Sequence, residues 1–223
     1  MLTVQNANDF TQFTSSHSAY TGATLKYPMR KAILSLLLIA IFLSPVYLWK
    51  SGLPQVSHII MLSAIALRLL FKPKIFWKKE WFTGMCFIIY TFWVNGIAFL
   101  IYDDSHFILS SGYYLFDFIV FLFVVTCLIE EGNALLKKVF WLHFIILTFL
   151  VIMAILGLGR FSENRFRGLF NDPNQMAYWV LWATVILTAA GRTLYSSWLP
   201  GLYALSLAFL VNIFNASRSG VIG

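Results

Sequence analysis

Long apolar runs separated by short polar segments organise this chain. They occupy residues 32–49, 53–71, 81–102, 107–129, 139–158, 173–190 and 198–214. Each is about 20 residues long, the length a helix needs to cross the hydrocarbon core of a bilayer. The runs are continuous and do not alternate apolar with polar, which excludes a membrane β-barrel. The pattern therefore predicts an all-α, polytopic integral membrane protein with seven transmembrane helices. After Asn215-Ala216-Ser217-Arg218-Ser219-Gly220 the chain turns apolar again at Val221. We expect this to be the start of an eighth span, and the sequence to be the N-terminal part of a longer protein. Residues 1–25 are rich in Ser, Thr, Asn and Gln and carry no Lys or Arg. They are expected to form a disordered cytoplasmic tail. With so long a leader and no small-residue cleavage site, the first run reads as an uncleaved span and not a signal peptide. Residues 26–223 then form one membrane domain.

Composition agrees. Hydrophobic residues make up 60% of the chain and charged residues 11%, with a mean hydropathy of +0.78, whereas a soluble domain carries about 25% charge. The net charge of +7 does not point to nucleic acid, because the basic residues lie between spans, where they set orientation. With the N-terminus in the cytoplasm, the inner segments hold Lys26, Arg30, Lys31, Lys72, Lys74, Lys78, Lys79, Lys137, Lys138 and Arg192. The outer segments hold Lys50, Arg160, Arg165, Arg167 and Arg218. This excess favours that orientation, and Arg68 is expected to snorkel from span two to the inner interface. Cys86 and Cys127 lie in apolar runs and read as buried small hydrophobes.

The outer arginines run against the orientation rule. Arg160, Arg165 and Arg167 fall in one loop, and Arg218 precedes the eighth run. One reading is a solvated loop whose charges meet lipid phosphates. The other is an anion site, since guanidinium keeps its charge and offers a planar fork matched to phosphate oxygens. Asn171 or Asp172 would cap the sixth helix, with Pro173 and Asn174 in its first turn. The positive end of that helix would then add free N–H donors beside the arginines. Ser217 would support Arg218 in the same way. A lipid-linked phosphate or pyrophosphate is the ligand this arrangement suits.

Two segments carry a family resemblance. Arg167-Gly168-Leu169-Phe170-Asn171-Asp172-Pro173-Asn174-Gln175-Met176-Ala177 resembles the Gly-x-Phe-x-(Asn/Asp)-Pro-Asn-x-x-Ala pattern of the O-antigen ligase and O-antigen polymerase family. Asn215-Ala216-Ser217-Arg218-Ser219-Gly220 resembles that family's Ser-Arg segment. The likeness covers the N-terminal half of a typical member. It implies a bacterial inner-membrane enzyme of surface polysaccharide (O-antigen, capsule or lipopolysaccharide) biosynthesis, a glycosyltransferase acting as ligase or polymerase. It would move glycan from an undecaprenyl-pyrophosphate carrier to an acceptor on the outer face, with no cofactor, metal or nucleotide. Partners would be membrane lipid, the lipid-linked glycan and other polysaccharide-assembly proteins. Arg218 matches the Ser-Arg position, while Arg160, Arg165 and Arg167 correspond by loop and side. Members continue into further spans and a large outer loop that supplies more functional residues.

Asp117 sits midway along span four, where charge is costly. It reads as a structural pair with another span, with a proton-relay or acceptor-sugar role as the alternative. His58 and His143 read as packing or interhelical hydrogen-bond residues, and Asn95, Gly96 and Asn212 as helix-packing positions. The Asp103-Asp104-Ser105-His106 segment reads as a solvated turn. Trp49, Trp77, Trp81, Tyr102, Trp141 and Trp198 read as interfacial belt residues. Two competing functions stay open. A transporter or flippase of lipid-linked anionic glycans would also want outer arginines, but the internal repeats expected of one are not evident. An inactive truncated remnant is the other.

Overall fold

A computed structural model of the chain describes residues 27–49, 54–75, 77–162 and 165–215. The polar tail, Lys26, Lys50, Ser217, Arg218 and the start of the expected eighth span lie outside the described residues. The described residues are mostly helical, with one short antiparallel pair of strands. The seven helices are α1 (Tyr27–Leu43), α2 (Val56–Phe71), α3 (Phe82–Tyr102), α4 (His106–Glu131), α5 (Asn133–Ile155), α6 (Pro173–Tyr195) and α7 (Leu199–Asn215). Three of them, α3, α4 and α5, are long and apolar enough to cross a membrane; α2 and α7 are apolar but shorter.

Several boundaries differ from the hydropathy pattern for local reasons. Helix α1 ends at Leu43, six residues early, because Pro45 disfavours helical backbone at Ser44. Helix α5 begins at Asn133, so Lys137 and Lys138 ride on its first turns and not in a loop. The break before it is one residue, Gly132, at φ 59°, a conformation glycine reaches without a Cβ clash. Helix α6 runs on to Tyr195 and takes Arg192 into its last turn. There the guanidinium lies 4.3 Å from the Trp198 ring centre, within range of a cation–π contact.

Two apolar clusters form the core, and α5 contributes to both. One joins α5, α6 and α7 around Leu147, Leu150, Val180 and Val211; the other joins α1, α2 and α4 to the start of α5 around Leu37 and Ala64. Helices α6 and α7 approach closely through small residues. A Cβ on Gly191 would stand 2.7 Å from Pro200 Cβ, and one on Gly201 2.9 Å from Thr188. Small residues at such a seam gain dispersion contact where no hydrophobic force joins helices in lipid. By contrast Gly96 faces open space and is not the packing position expected of it, although neighbouring Asn95 donates to Ser111 Oγ at 2.9 Å across α3 and α4. Cys86 is exposed on α3 and only Cys127 is buried, because α3 packs mainly on α4 and turns its other faces outward.

Arg68 does not snorkel. It is 2% exposed and forms a two-pronged ion pair with Glu130, both contacts at 2.9 Å, while also donating to Lys74 O. Lys72 Nζ meets the same carboxylate at 2.8 Å, and Arg30 pairs with the adjacent Glu131. The ends of α1, α2 and α4 are thereby tied at the lysine-rich end of the bundle. Removing one member of a buried pair leaves the other charge uncompensated, whereas Arg30 is half exposed and its pair contributes little. Glu130→Gln should therefore cost about 3 kcal/mol and Glu131→Gln less than about 1 kcal/mol, read from unfolding midpoints in detergent. A larger loss for Glu131→Gln would contradict this assignment.

Candidate functional site

The opposite end of the bundle carries the arginine loop. Residues Arg160–Ser162 and Arg165–Phe166 pair as a short antiparallel hairpin, which the hydropathy pattern did not predict. Side chains alternate along a strand, so Phe166 turns inward (3% exposed) while Arg165 and Arg167 flank it at the partly exposed surface. Phe170, also 3% exposed, is the second anchor in the α5–α6–α7 core. The loop closes on Gly159 O, which accepts from Arg167 N and Gly168 N, both at 3.1 Å. Gly159 and Gly168 hold φ of +73° and +61°, and a Cβ on Gly159 would lie 2.7 Å from Gly168 O.

Both described arginines reach backbone oxygens at the ends of helices. Arg165 Nε donates to Asn215 O at 3.4 Å, and Arg167 Nη1 to Asn171 O at 3.3 Å. Asn215, fully buried at the end of α7, donates to Pro173 O at 2.6 Å and locks α7 to the start of α6. Asn171 donates its side chain to Trp49 O, and Tyr47 N donates to Leu169 O at 3.1 Å. The arginine loop is thus bound to the α1–α2 connection. Arg160 contributes backbone to the first strand; its side chain, like Arg218 and Ser217, lies outside the described residues.

The start of α6 is closed by its own aspartate. Asp172 is the N-cap, Pro173 brings no N–H, and the Asp172 carboxylate accepts from Asn174 N at 2.6 Å. An anion therefore finds neither the open donors nor the uncompensated positive end expected of this helix. The cationic character of this end rests on the arginines.

Beneath the loop lies a cavity of about 450 Å³ between α1, α2, α4, α5 and α6, within the size range of small-molecule sites. Phe170 is the arginine loop's contribution to its lining, in which neither Arg165 nor Arg167 takes part. Among the described residues Asp117 is the only charged side chain in the lining. It is exposed to the cavity, and among the described residues no hydrogen bond or ion pair engages its carboxylate. Among the described residues the interhelical pairing expected of it is not made; Arg68 and Lys72 meet Glu130 at the other end of α4. Tyr47 also lines the cavity; burial raises its phenol above its ordinary range, and Asp117 adds to the effect.

His58 and His143 line the cavity too. Each crosses to another helix by ring contact, His58 with Phe116 at 5.3 Å and His143 stacked on Trp179 at 5.9 Å. Their hydrogen bonds among the described residues run within their own helical segments, so of the two expectations for them, packing or an interhelical hydrogen bond, packing is the one met. His58 Nδ1 accepts from Gln55 N at 3.2 Å; His143 Nδ1 faces Val139 O at 2.8 Å. In the solvated turn between α3 and α4, Asp103 adopts left-handed backbone and Asp104 accepts from His106 N at 2.9 Å. Among the described residues no group of His, Cys, Asp or Glu is placed to hold a metal.

Sequence reasoning located Asp117 and the arginines but not the cavity that relates them. The Arg165-Phe166-Arg167 alternation was the available signal for the hairpin. No family model, curated protein or solved structure matches this chain.

Because the loop is pinned through two left-handed glycines, Gly159→Ala should release it. Trypsin should then cut at Arg165 and Arg167 at least about tenfold faster than in the native protein, since local opening exposes them. Unchanged cleavage would show that the loop is already open.

Proposed function

We propose that this protein transfers glycan from an undecaprenyl-pyrophosphate carrier to an acceptor during surface polysaccharide assembly, at the outer face of a bacterial inner membrane. In this reading all seven helices cross the bilayer, the N-terminus is cytoplasmic and an eighth span follows Asn215. The shorter spans α1, α2 and α7 reach about 25 Å at 1.5 Å per residue, slightly less than the hydrocarbon core, and local thinning accommodates the difference.

The observation that carries the proposal is a loop bearing Arg165 and Arg167 whose Phe170 lines a cavity in which Asp117 is, among the described residues, the only charged lining group. Arg165 and Arg167 supply fixed positive charge at headgroup depth, where the pyrophosphate of a lipid carrier lies. The negative charge on that leaving group grows as the glycosidic bond breaks, and arginine held in place stabilises it without reorganisation. Arg160 and Arg218, whose side chains lie outside the described residues, are proposed to add positive charge on the same side. The cavity below receives the reacting sugars, with Trp179 and Trp182 as aromatic lining. This chemistry needs neither metal nor nucleotide.

In the natural host lacking its own copy of the gene, full-length protein carrying Arg167→Ala should reach the membrane yet lose long-chain polysaccharide. The rate should drop by about 10²–10³, the range for loss of one preorganised charge donor; Arg218→Ala should behave alike. Wild-type ladders from both variants would refute the anion site. Reporter fusions after Asn164 should read outside and those after Lys78 inside, and the reverse would overturn the orientation.

A further inference from the structure

The two cavity histidines have opposite, fixed polarities. A backbone N–H can only donate, so His58 Nδ1, facing Gln55 N at 3.2 Å, must be the acceptor and the ring's proton sits on Nε2. A carbonyl oxygen can only accept, so His143 Nδ1, facing Val139 O at 2.8 Å, must carry the proton and Nε2 keeps its lone pair. With both rings neutral, His58 keeps an Nε2–H donor and His143 an Nε2 acceptor, and both residues line the cavity. A hydroxyl, which both donates and accepts, is the group this pairing complements.

Asp117 shares that cavity without a hydrogen bond or ion pair among the described residues. The α-helical carboxylates Glu130 and Glu131 are both engaged by cations. A lone carboxylate midway along an apolar helix is expensive and persists where it is used. The neighbouring titratable groups are Tyr47 from the α1–α2 connection, His58 of α2, His143 of α5, Tyr178 of α6 and Tyr113 one turn away on α4. None of these is a cation in its ordinary state at neutral pH.

Resting on the glycan-transfer reading, we infer that the cavity is the acceptor site and that Asp117 is the base that takes the acceptor's proton. The acceptor O–H gives its proton to an Asp117 oxygen as its own oxygen bonds to the anomeric carbon. The anomeric C–O bond to the carrier breaks, and its electron pair leaves on the pyrophosphate under Arg165 and Arg167. His58 Nε2–H and the His143 Nε2 lone pair orient the hydroxyl-bearing ring and do not exchange its proton. The carboxylic acid then returns its proton to water.

The test uses full-length protein in nanodiscs, with lipid-linked glycan extracted from the host's own membranes as substrate. Asp117→Asn keeps shape and removes basicity, and should lower the transfer rate about 10²–10⁴-fold while undecaprenyl pyrophosphate still binds. The wild-type rate should fall as pH drops and the carboxylate is protonated, and residual Asp117→Asn activity should lack that acid limb. Asp104→Asn, in the exposed turn, should match wild type. If Arg167→Ala is inactive while Asp117→Asn stays within twofold of wild type, the base is not Asp117 and the glycan-transfer reading survives. If both variants are fully active, that reading fails with it. Should Asp117→Asn not fold, the wild-type profile decides, because a rate independent of pH between about 4 and 8 would overturn the proposal.

Discussion

A polar group among apolar helices must find a polar partner, since neither lipid nor core side chains can replace the hydrogen bonds of water. Most of this structure follows from how that requirement is met. Arg68 is buried only because Glu130 grips it from both sides, with Lys72 on the same carboxylate. Asn95 donates to Ser111 Oγ, which in turn donates a hydrogen bond to Thr91 O. Gln55, 1% exposed, takes the N–H of Leu48 and donates to Trp49 O, which fixes the turn into α2. Asn215 ties the end of α7 to the start of α6. Asp117 departs from this economy, and it does so where the helices leave a cavity.

The same requirement relates the arginine loop to the cavity. Phe166 and Phe170 anchor the loop in apolar core, while its backbone is satisfied by Gly159 O and by the α1–α2 connection. The arginine loop and the cavity that Asp117 lines are thereby held on one set of helices. Where a phosphate leaves and a hydroxyl attacks, as proposed, reacting groups held in place avoid the entropy of bringing them together.

Much of the fold was legible because bilayer length and hydropathy are strong signals. The ends of α1 and α5 were less so, because a single proline and a single left-handed glycine set them inside otherwise continuous patterns. Arg68 was misread for a related reason. Snorkelling is the default for a cation near a helix end, and its partner lies 62 residues away in sequence, where no local pattern points. Asp172 and Pro173 stood out at the start of α6, but the cap's effect did not, since the aspartate that starts the helix also blunts its positive end. Asp117 was visible as an anomaly. Its surroundings were not, because the cavity is assembled from five helices and two connecting segments.

The central claim is that the arginine loop and the cavity beneath it form one site for a lipid pyrophosphate. Its most direct test is binding of undecaprenyl pyrophosphate to the protein in nanodiscs, compared with undecaprenol and followed through the fluorescence of the cavity tryptophans. The account predicts a saturable change with the pyrophosphate lipid and binding at least about tenfold weaker, some 1.4 kcal/mol, with the alcohol. Equal affinity for the two lipids would mean that the arginines do not read the pyrophosphate, and would contradict the account.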